Sequence, residues 1–296
     1  MEELDATTWQ ARAAAHAARL APYVAPHLAR RRRGEPHPVH DFLFSYYSQR
    51  PAQLLRWHPG FGRRLLDAPS YDQRTGYADG AVTRDQLDAR GSLLRATHRL
   101  LTATASRPAH TGCFGLHEWA MVYRAGAAGT GTDAGTRHPQ PLRLGGTGTD
   151  SVVESHRIAC SHFDAFRFFS DAARPLNTLQ PRSEDRHEFE QPGCLHAGMD
   201  LYKHALRLTP LVPSELVADC FELAWDVRIL DMRAAPYDLS GVVMDPTGER
   251  WTPVTIETVE GKQEYAAAQG AFADRGAPLR QRLVEESERL LSALRP

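Results

Sequence analysis

Lysine is nearly absent: Lys203 and Lys262 are the whole complement, so 33 of the 35 basic side chains are arginine. Cysteine is scarce too, with Cys113, Cys160, Cys194 and Cys220 spread over 296 residues and no C-x-x-C pair among them. A chain of this length does not need disulfides, so reduced thiols in a reducing compartment are expected. No apolar run approaches the ~18 residues that a membrane span requires, so no membrane partner is expected. The opening MEELDATTWQ is acidic and has no apolar core, which argues against a secretory signal and for a cytoplasmic protein. Net charge is −1 with 42% hydrophobic residues, which excludes a disordered tail protein and a uniformly basic nucleic-acid coat. What remains is a globular chain able to bury roughly 75% of its unfolded surface.

Charge is unevenly placed. Residues 1–64 hold ten arginines (Arg12, Arg19, Arg30 to Arg33, Arg50, Arg56, Arg63, Arg64) against five acids, and the rest of the chain holds 25 basic and 31 acidic groups. An N-terminal surface that meets phosphate is compatible with such a split, as is a solvated arginine run closing a helix.

Apolar periodicity predicts a mainly α chain: an N-terminal helical arm over 1–34 that ends in the Arg30–Arg33 run, then a single helical domain over 35–296. The first helix, over 5–33, is expected to be interrupted at Pro22 and Pro26. Further helices are expected over 40–57, kinked or split at Pro51, and over 87–105, 114–123, 195–208, 214–232 and 279–294. Ser214, after Pro213, has the chemistry of an N-cap. Residues 125–150 are rich in Gly and Thr and read as a long loop insert. Leu142–Val153 and Met244–Thr258 read as small β-hairpins around Gly145–Gly148 and Asp245–Gly248.

Fourteen histidines carry most of the chemical information. Several sit beside carboxylates inside apolar stretches: His40-Asp41, His117-Glu118, Glu154-x-His156, His162-x-Asp164, and His196-x-x-x-Asp200 with His204 one turn on. Polar groups threaded through apolar segments are costly unless paired. Three roles suit them. They can ligate a divalent metal such as iron or zinc, with His117, His162, His196, Asp200 and Glu154 as candidate ligands. His117, His196, Glu118 and Asp200 can act as general acid and base. A carboxylate in an aromatic pocket can stabilise a cationic sugar. Each histidine can also simply hydrogen-bond within the core, and Cys113, Cys160 and Cys194, although near these histidines, match no zinc spacing and read as buried bystanders.

Aromatic residues crowd the same stretches, Trp119, Tyr123, Phe166 and Tyr202 among them, and would suit a planar heteroaromatic ligand. The segment Trp57-His58-Pro59-Gly60-Phe61-Gly62-Arg63-Arg64 looks like the turn of a helix-hairpin-helix element, which presents backbone N–H groups to phosphate, with His58 in place of the usual aliphatic residue.

Four stretches, HDFLFSYYSQRPAQLLRWHPGFG (40–62), GCFGLHEWAMVYR (112–124), ESHRIACSHFDAFRFF (154–169) and 191–241, resemble a bacterial family commonly named 3-methyladenine DNA glycosylase. That resemblance implies hydrolysis of the N-glycosidic bond of an alkylated purine in DNA. Asp200 or Glu118 would stabilise the sugar cation, Trp119, Tyr123, Phe166 and Tyr202 would enclose the base, and Arg50, Arg56, Arg63 and Arg64 would hold phosphates. The residues alone also support a His/carboxylate metalloenzyme acting on a small molecule, or a binding module without catalysis.

Overall fold

A computed structural model describes residues 1–47, 50–125 and 140–294. In chain order the elements are β1 (Glu2–Leu4), α1 (Ala6–Arg33), α2 (Phe42–Ser45), α3 (Pro51–Leu54), β2 (Arg63–Leu65), α4 (Pro69–Asp72), β3 (Tyr77–Ala78), β4 (Ala81–Val82), α5 (Arg84–Ala89) and α6 (Gly91–Ala105). There follow α7 (Leu116–Val122), α8 (Gly145–Glu154), α9 (Phe163–Phe166), α10 (Arg186–Phe189), α11 (Leu195–Arg207), α12 (Ser214–Ala234) and α13 (Val259–Leu294). The chain is mainly α, as its periodicity predicts, with one small sheet. No helix among the described residues is long and apolar enough to cross a membrane.

Two compact units divide the chain. The first comprises Met1–Thr102, Met199–Trp225 and Gly276–Pro296; the second comprises Ala103–Gly198 and Asp226–Arg275.

In the first unit α1 runs unbroken through Pro22 and Pro26, contrary to the expected interruption. A mid-helix proline costs about 3 kcal/mol. Here the cost is offset by the face that buries His16, Leu20, Val24 and His27 and by the ion pairs Arg12–Glu215, Arg19–Asp219 and Arg19–Glu222. Those contacts make α1 a packed element of its unit. Asp5 caps its start by accepting from the Thr8 N–H, and Arg30–Arg33 fill the last turn, where cations suit the helix dipole, before Gly34 at φ +70°.

The sheet lies in the same unit, in the order β1-β2-β4-β3. β1 pairs parallel with β2 in the register Glu2↔Arg63 and Glu3↔Arg64, so opposite charges face each other across the ladder. β3 and β4 form a hairpin closed by Asp79-Gly80, both at positive φ, the backbone that a two-residue hairpin turn demands.

The hairpins expected elsewhere are corrected. Gly145–Glu154 is helix α8, whose inner face buries Thr149, Val152 and Val153, while the Thr149 and Ser151 hydroxyls are satisfied by the Gly145 and Thr147 carbonyls one turn back. Around Asp245–Gly248 there is a turn with a single Val243↔Arg250 bridge and no strands. Of the expected loop over 125–150, residues 126–139 lie outside the described residues. The last helix begins at Val259, twenty residues before the expected start, and continues through Pro278.

Candidate functional site

The second unit gathers the histidines. Gly115, at φ +67°, opens α7 in a backbone region that a side chain rarely enters, and a Cβ there would meet the Ala234 Cβ at 3.3 Å. That close approach sinks all seven residues of α7, including His117 and Glu118. Adjacent residues on a helix point about 100° apart, so one buried face does not by itself take both. Both are buried because acidic and cationic partners meet them from α12.

Those partners are Asp231 and Arg228, which are 0% and 1% exposed. Arg228 Nη1 lies 2.7 Å from Asp231 Oδ2 and 3.5 Å from Glu118 Oε1. The other oxygen, Asp231 Oδ1, is 2.9 Å from His117 Nε2. The two atoms form a buried ion pair when His117 is protonated, and neither has any other hydrogen-bond partner. His196 completes the group: its ring meets that of His117 edge-on at 4.5 Å, and one ligand atom from each of His117, His196 and Asp231 lies within 4.8 Å of the other two. Beyond it, the buried His162 ring is 5.3 Å from His196, with His162 Nε2 3.5 Å from Glu190 Oε1.

Charge decides how this core titrates. Glu118, Asp231 and Arg228 sum to one negative charge when the imidazoles are neutral. Burial pushes the His117 pKa down, but the charge of Asp231, its hydrogen-bonding contact with the ring and the charge of Glu118 outweigh it and hold the imidazole above its ordinary value. Burial likewise works to raise Asp231, and the His117 and Arg228 charges overcome it, so its carboxyl lies well below the usual carboxylate range.

His117 and His196 open onto a cavity of about 590 Å³, walled mainly by apolar groups such as Leu116, Ile158, Leu179 and Leu195 and by the thiols of Cys113, Cys160 and Cys194. Burial pushes the Cys160 thiol up to about 12 and raises Cys194 well above its ordinary value. Gln269 is fully buried and braces the floor, its Nε2 donating to the Gly193 carbonyl at 2.6 Å and lying 3.0 Å from Cys113 Sγ.

Several residues singled out from the sequence stand elsewhere. Asp200, in the first unit, is held by Lys203 Nζ at 2.9 Å and by the Tyr47 hydroxyl at 3.4 Å; the carboxylate that groups with His117 and His196 is Asp231. Glu154 accepts from Tyr123 and Arg124 at the surface and is not in the group. Trp119 is fully buried, donating to the Ala234 carbonyl with the Arg143 guanidinium over its ring, and Phe166 packs on Phe169. None of Trp119, Tyr123 and Phe166 is among the cavity's lining residues; Phe189 lines it instead, beside the aliphatic and thiol groups and the charged Arg107, Arg157 and Glu188. Tyr202, in the first unit, is core packed on Tyr47 and Phe221.

Within that first unit the Trp57–Arg64 turn leads into strand β2, so it is not a helix-hairpin-helix element. Its Phe61 N–H is spent on the Leu211 carbonyl. Arg63 pairs with Glu2 at 2.8 Å, and Arg64 lies 3.8 Å from Glu3 and donates to the Asp79 carbonyl. Arg50 precedes α3 at the surface, and Arg56 borders a separate cavity.

Asp231 and Arg228 are the residues that sequence reasoning missed. The available signal was local: Arg228 and Asp231, three residues apart and therefore on one helical face, stand among Val227, Ile229, Leu230 and Met232. No family model, curated protein or solved structure matches the chain.

Proposed function

We propose that the second unit is a divalent-metal enzyme whose ligands are His117, His196 and Asp231 and whose substrate is a small molecule held in the adjoining cavity. The observation that carries this reading is the buried grouping itself: one ligand atom from each of His117, His196 and Asp231 lies within 4.8 Å of the other two, with His117 Nε2 2.9 Å from Asp231 Oδ1. Two ligand atoms about 2.1 Å from a common ion and about 90° apart would be separated by about 3.0 Å. Two imidazoles and one carboxylate form the donor set used by iron and zinc sites that keep positions open for reactants. Arg228, holding the second oxygen of Asp231, would fix that carboxylate's orientation, as outer partners of metal ligands do. A bound ion would supply a Lewis acid able to polarise a substrate oxygen or acidify a bound water. The aliphatic and thiol walls would exclude bulk water and select an apolar body, while His196 and His117 meet the reacting end.

The test is titration of EDTA-stripped protein with Co²⁺ and Zn²⁺, followed by calorimetry and by the visible absorption of Co²⁺. One ion per chain is expected, with at least a hundredfold loss of affinity in His196→Ala and in Asp231→Asn. Absence of binding at millimolar Co²⁺ and Zn²⁺, or unchanged affinity in both variants, overturns the reading.

The family resemblance supports a second reading, excision of an alkylated purine. What favours it is that stretches carrying the resemblance supply lining residues of this cavity: Cys113 and His117, Ile158 and Cys160, Cys194 and His196. Glu118 would then be the carboxylate that stabilises the sugar cation. Base release from methylated duplex DNA by metal-stripped protein, abolished in Glu118→Gln, is its expected outcome; no release overturns it.

A further inference from the structure

The first unit has a cavity of its own, about 710 Å³, and its chemistry is the reverse of the second unit's core. Arg56, Arg74 and Arg90 line it together with His16 and His58, and no carboxylate does so among the described residues. None of the three arginines forms an ion pair with a carboxylate among the described residues. The Arg74 guanidinium lies over the Tyr71 ring at 4.0 Å, and its Nη1 is buried without a hydrogen-bond partner. A guanidinium is protonated at any physiological pH, so this edge of the cavity carries fixed positive charge with unused donors.

The two imidazoles keep their neutral form. His16 is 5% exposed, and its Nε2 lies 2.9 Å from the Leu54 carbonyl. A carbonyl only accepts, so the proton sits on Nε2 and Nδ1 is a lone pair. That Nδ1 is buried and has no hydrogen-bond partner. Burial lowers the His16 pKa, and burial with the Arg74 and Arg56 charges pushes His58 down to about 4. The cavity thus combines three cationic donor groups with one buried acceptor that requires a donor from its ligand.

We propose that this cavity binds a small phosphate monoester that carries hydroxyl groups, its phosphate oxygens taken by Arg56, Arg74 and Arg90 and a hydroxyl given to His16 Nδ1. Phosphate matches the forked donors of arginine, whereas a single carboxylate would leave most of the positive charge unanswered. A hydroxyl is required because neither a fully ionised phosphate nor an aliphatic group can donate to His16 Nδ1. The volume falls in the range of small-molecule sites. This site is independent of the metal reading, since every residue it uses belongs to the first unit.

The experiment is calorimetry on the full chain with ribose 5-phosphate, ribose, inorganic phosphate and a short DNA duplex, all at one ionic strength. One molecule of ribose 5-phosphate per chain is expected, with ribose alone giving no signal and inorganic phosphate binding more weakly. Arg74→Gln and Arg90→Gln should each weaken ribose 5-phosphate by about tenfold or more, the usual loss of a charge-assisted contact. His16→Phe should weaken ribose 5-phosphate and leave inorganic phosphate unchanged. Arg90→Gln removes no ion pair, so its melting temperature is expected to match the parent and its binding result stands free of folding effects. No binding of ribose 5-phosphate at millimolar concentration, or unchanged affinity in Arg74→Gln and Arg90→Gln, overturns the proposal. Binding of the duplex alone, lost in the same variants, overturns it as well by assigning the site to a nucleic-acid backbone.

Discussion

Replacing Arg228 by methionine isolates the charge that holds the second unit's core together. The side chain is 1% exposed and lies against Asp231 (0% exposed) and Glu118 (5% exposed), so Arg228→Met leaves two buried carboxylates without the guanidinium between them. Breaking a buried pair from one side costs about 3–5 kcal/mol. With a urea dependence near 3 kcal/mol/M, the upper end for single domains, the unfolding midpoint should fall by about 1–2 M. Asp231→Asn is a different change, because Arg228 and Glu118 then balance each other and His117 no longer needs a proton. Its cost should be nearer 1–3 kcal/mol, that of a lost charged hydrogen bond. In the double variant one of the two carboxylates stranded by Arg228→Met is gone and only Glu118 remains, so the combined loss should be smaller than the sum of the single losses by at least about 1 kcal/mol. The assay is urea unfolding followed by circular dichroism at pH 7.5 in EDTA, which removes any metal contribution. Losses that add to within about 0.5 kcal/mol would refute the charge accounting.

Acid should act on the first unit through His58. Its folded pKa of about 4 lies below the unfolded value of about 6.5, so the unfolded chain takes up the proton first. The stability it contributes is complete above pH 6.5, declines as pH falls from there to about 4, and amounts to at most about 3 kcal/mol. His58→Asn keeps an acceptor for the Tyr77 hydroxyl, which lies 2.8 Å from Nδ1, and should flatten the urea-midpoint profile between pH 7 and pH 4.5; parallel profiles for parent and variant would contradict this. Among the thiols, burial raises Cys160 to about 12 and also raises Cys194 and Cys220. Mass spectrometry after iodoacetamide at pH 8 should find these three alkylated more than a hundredfold more slowly in the native protein than in urea, since only the thiolate reacts. Equal rates would refute the burial argument.

Helical periodicity located α11 and α12 to within two residues at each end, because their apolar stripes are long and their ends are marked by Pro213 and Pro236. The same logic failed where one residue type carries two meanings. Pro22 and Pro26 read as breaks, yet α1 is held by contacts distant in sequence. Gly145–Gly148 read as a turn, yet burial of Thr149, Val152 and Val153 on one face holds the segment as a helix. Strands of two or three residues are too short for alternation to register, so β1 to β4 were invisible apart from the Asp79-Gly80 turn signal. Site residues divide in the same way. His117, His196 and Glu118 were visible as polar groups in apolar surroundings, whereas choosing between Asp200 and Asp231 required knowing which carboxylate a cation already occupied. Lys203, three residues beyond Asp200, occupies one of its oxygens at 2.9 Å. Arg228 binds only the outer oxygen of Asp231 and leaves Oδ1 beside His117.

A net charge of −1 conceals two local imbalances of opposite sign, and these identify the candidate sites better than residue type does. Most charged groups of the chain are answered by a neighbour: Arg63 by Glu2, Arg143 by Glu257, Arg19 by Asp219 and Glu222. Such pairs stabilise modestly and offer nothing to a ligand. The core around Asp231 is one positive charge short when its imidazoles are neutral, and a proton on His117 or a divalent ion can supply that charge. The cavity around Arg74 has positive charge in excess; the two histidines, shifted toward their neutral form, neither add to it nor offset it, so an anion is what answers it. Burial makes the imbalance around Asp231 expensive in the absence of a ligand, because the low dielectric strengthens an unanswered charge as much as an answered one, whereas Arg56 is exposed and Arg74 and Arg90 are half-buried. A cation should therefore stabilise the second unit and a phosphate ester the first, each without the other, and thermal melting with Co²⁺ alone and with ribose 5-phosphate alone separates the two effects.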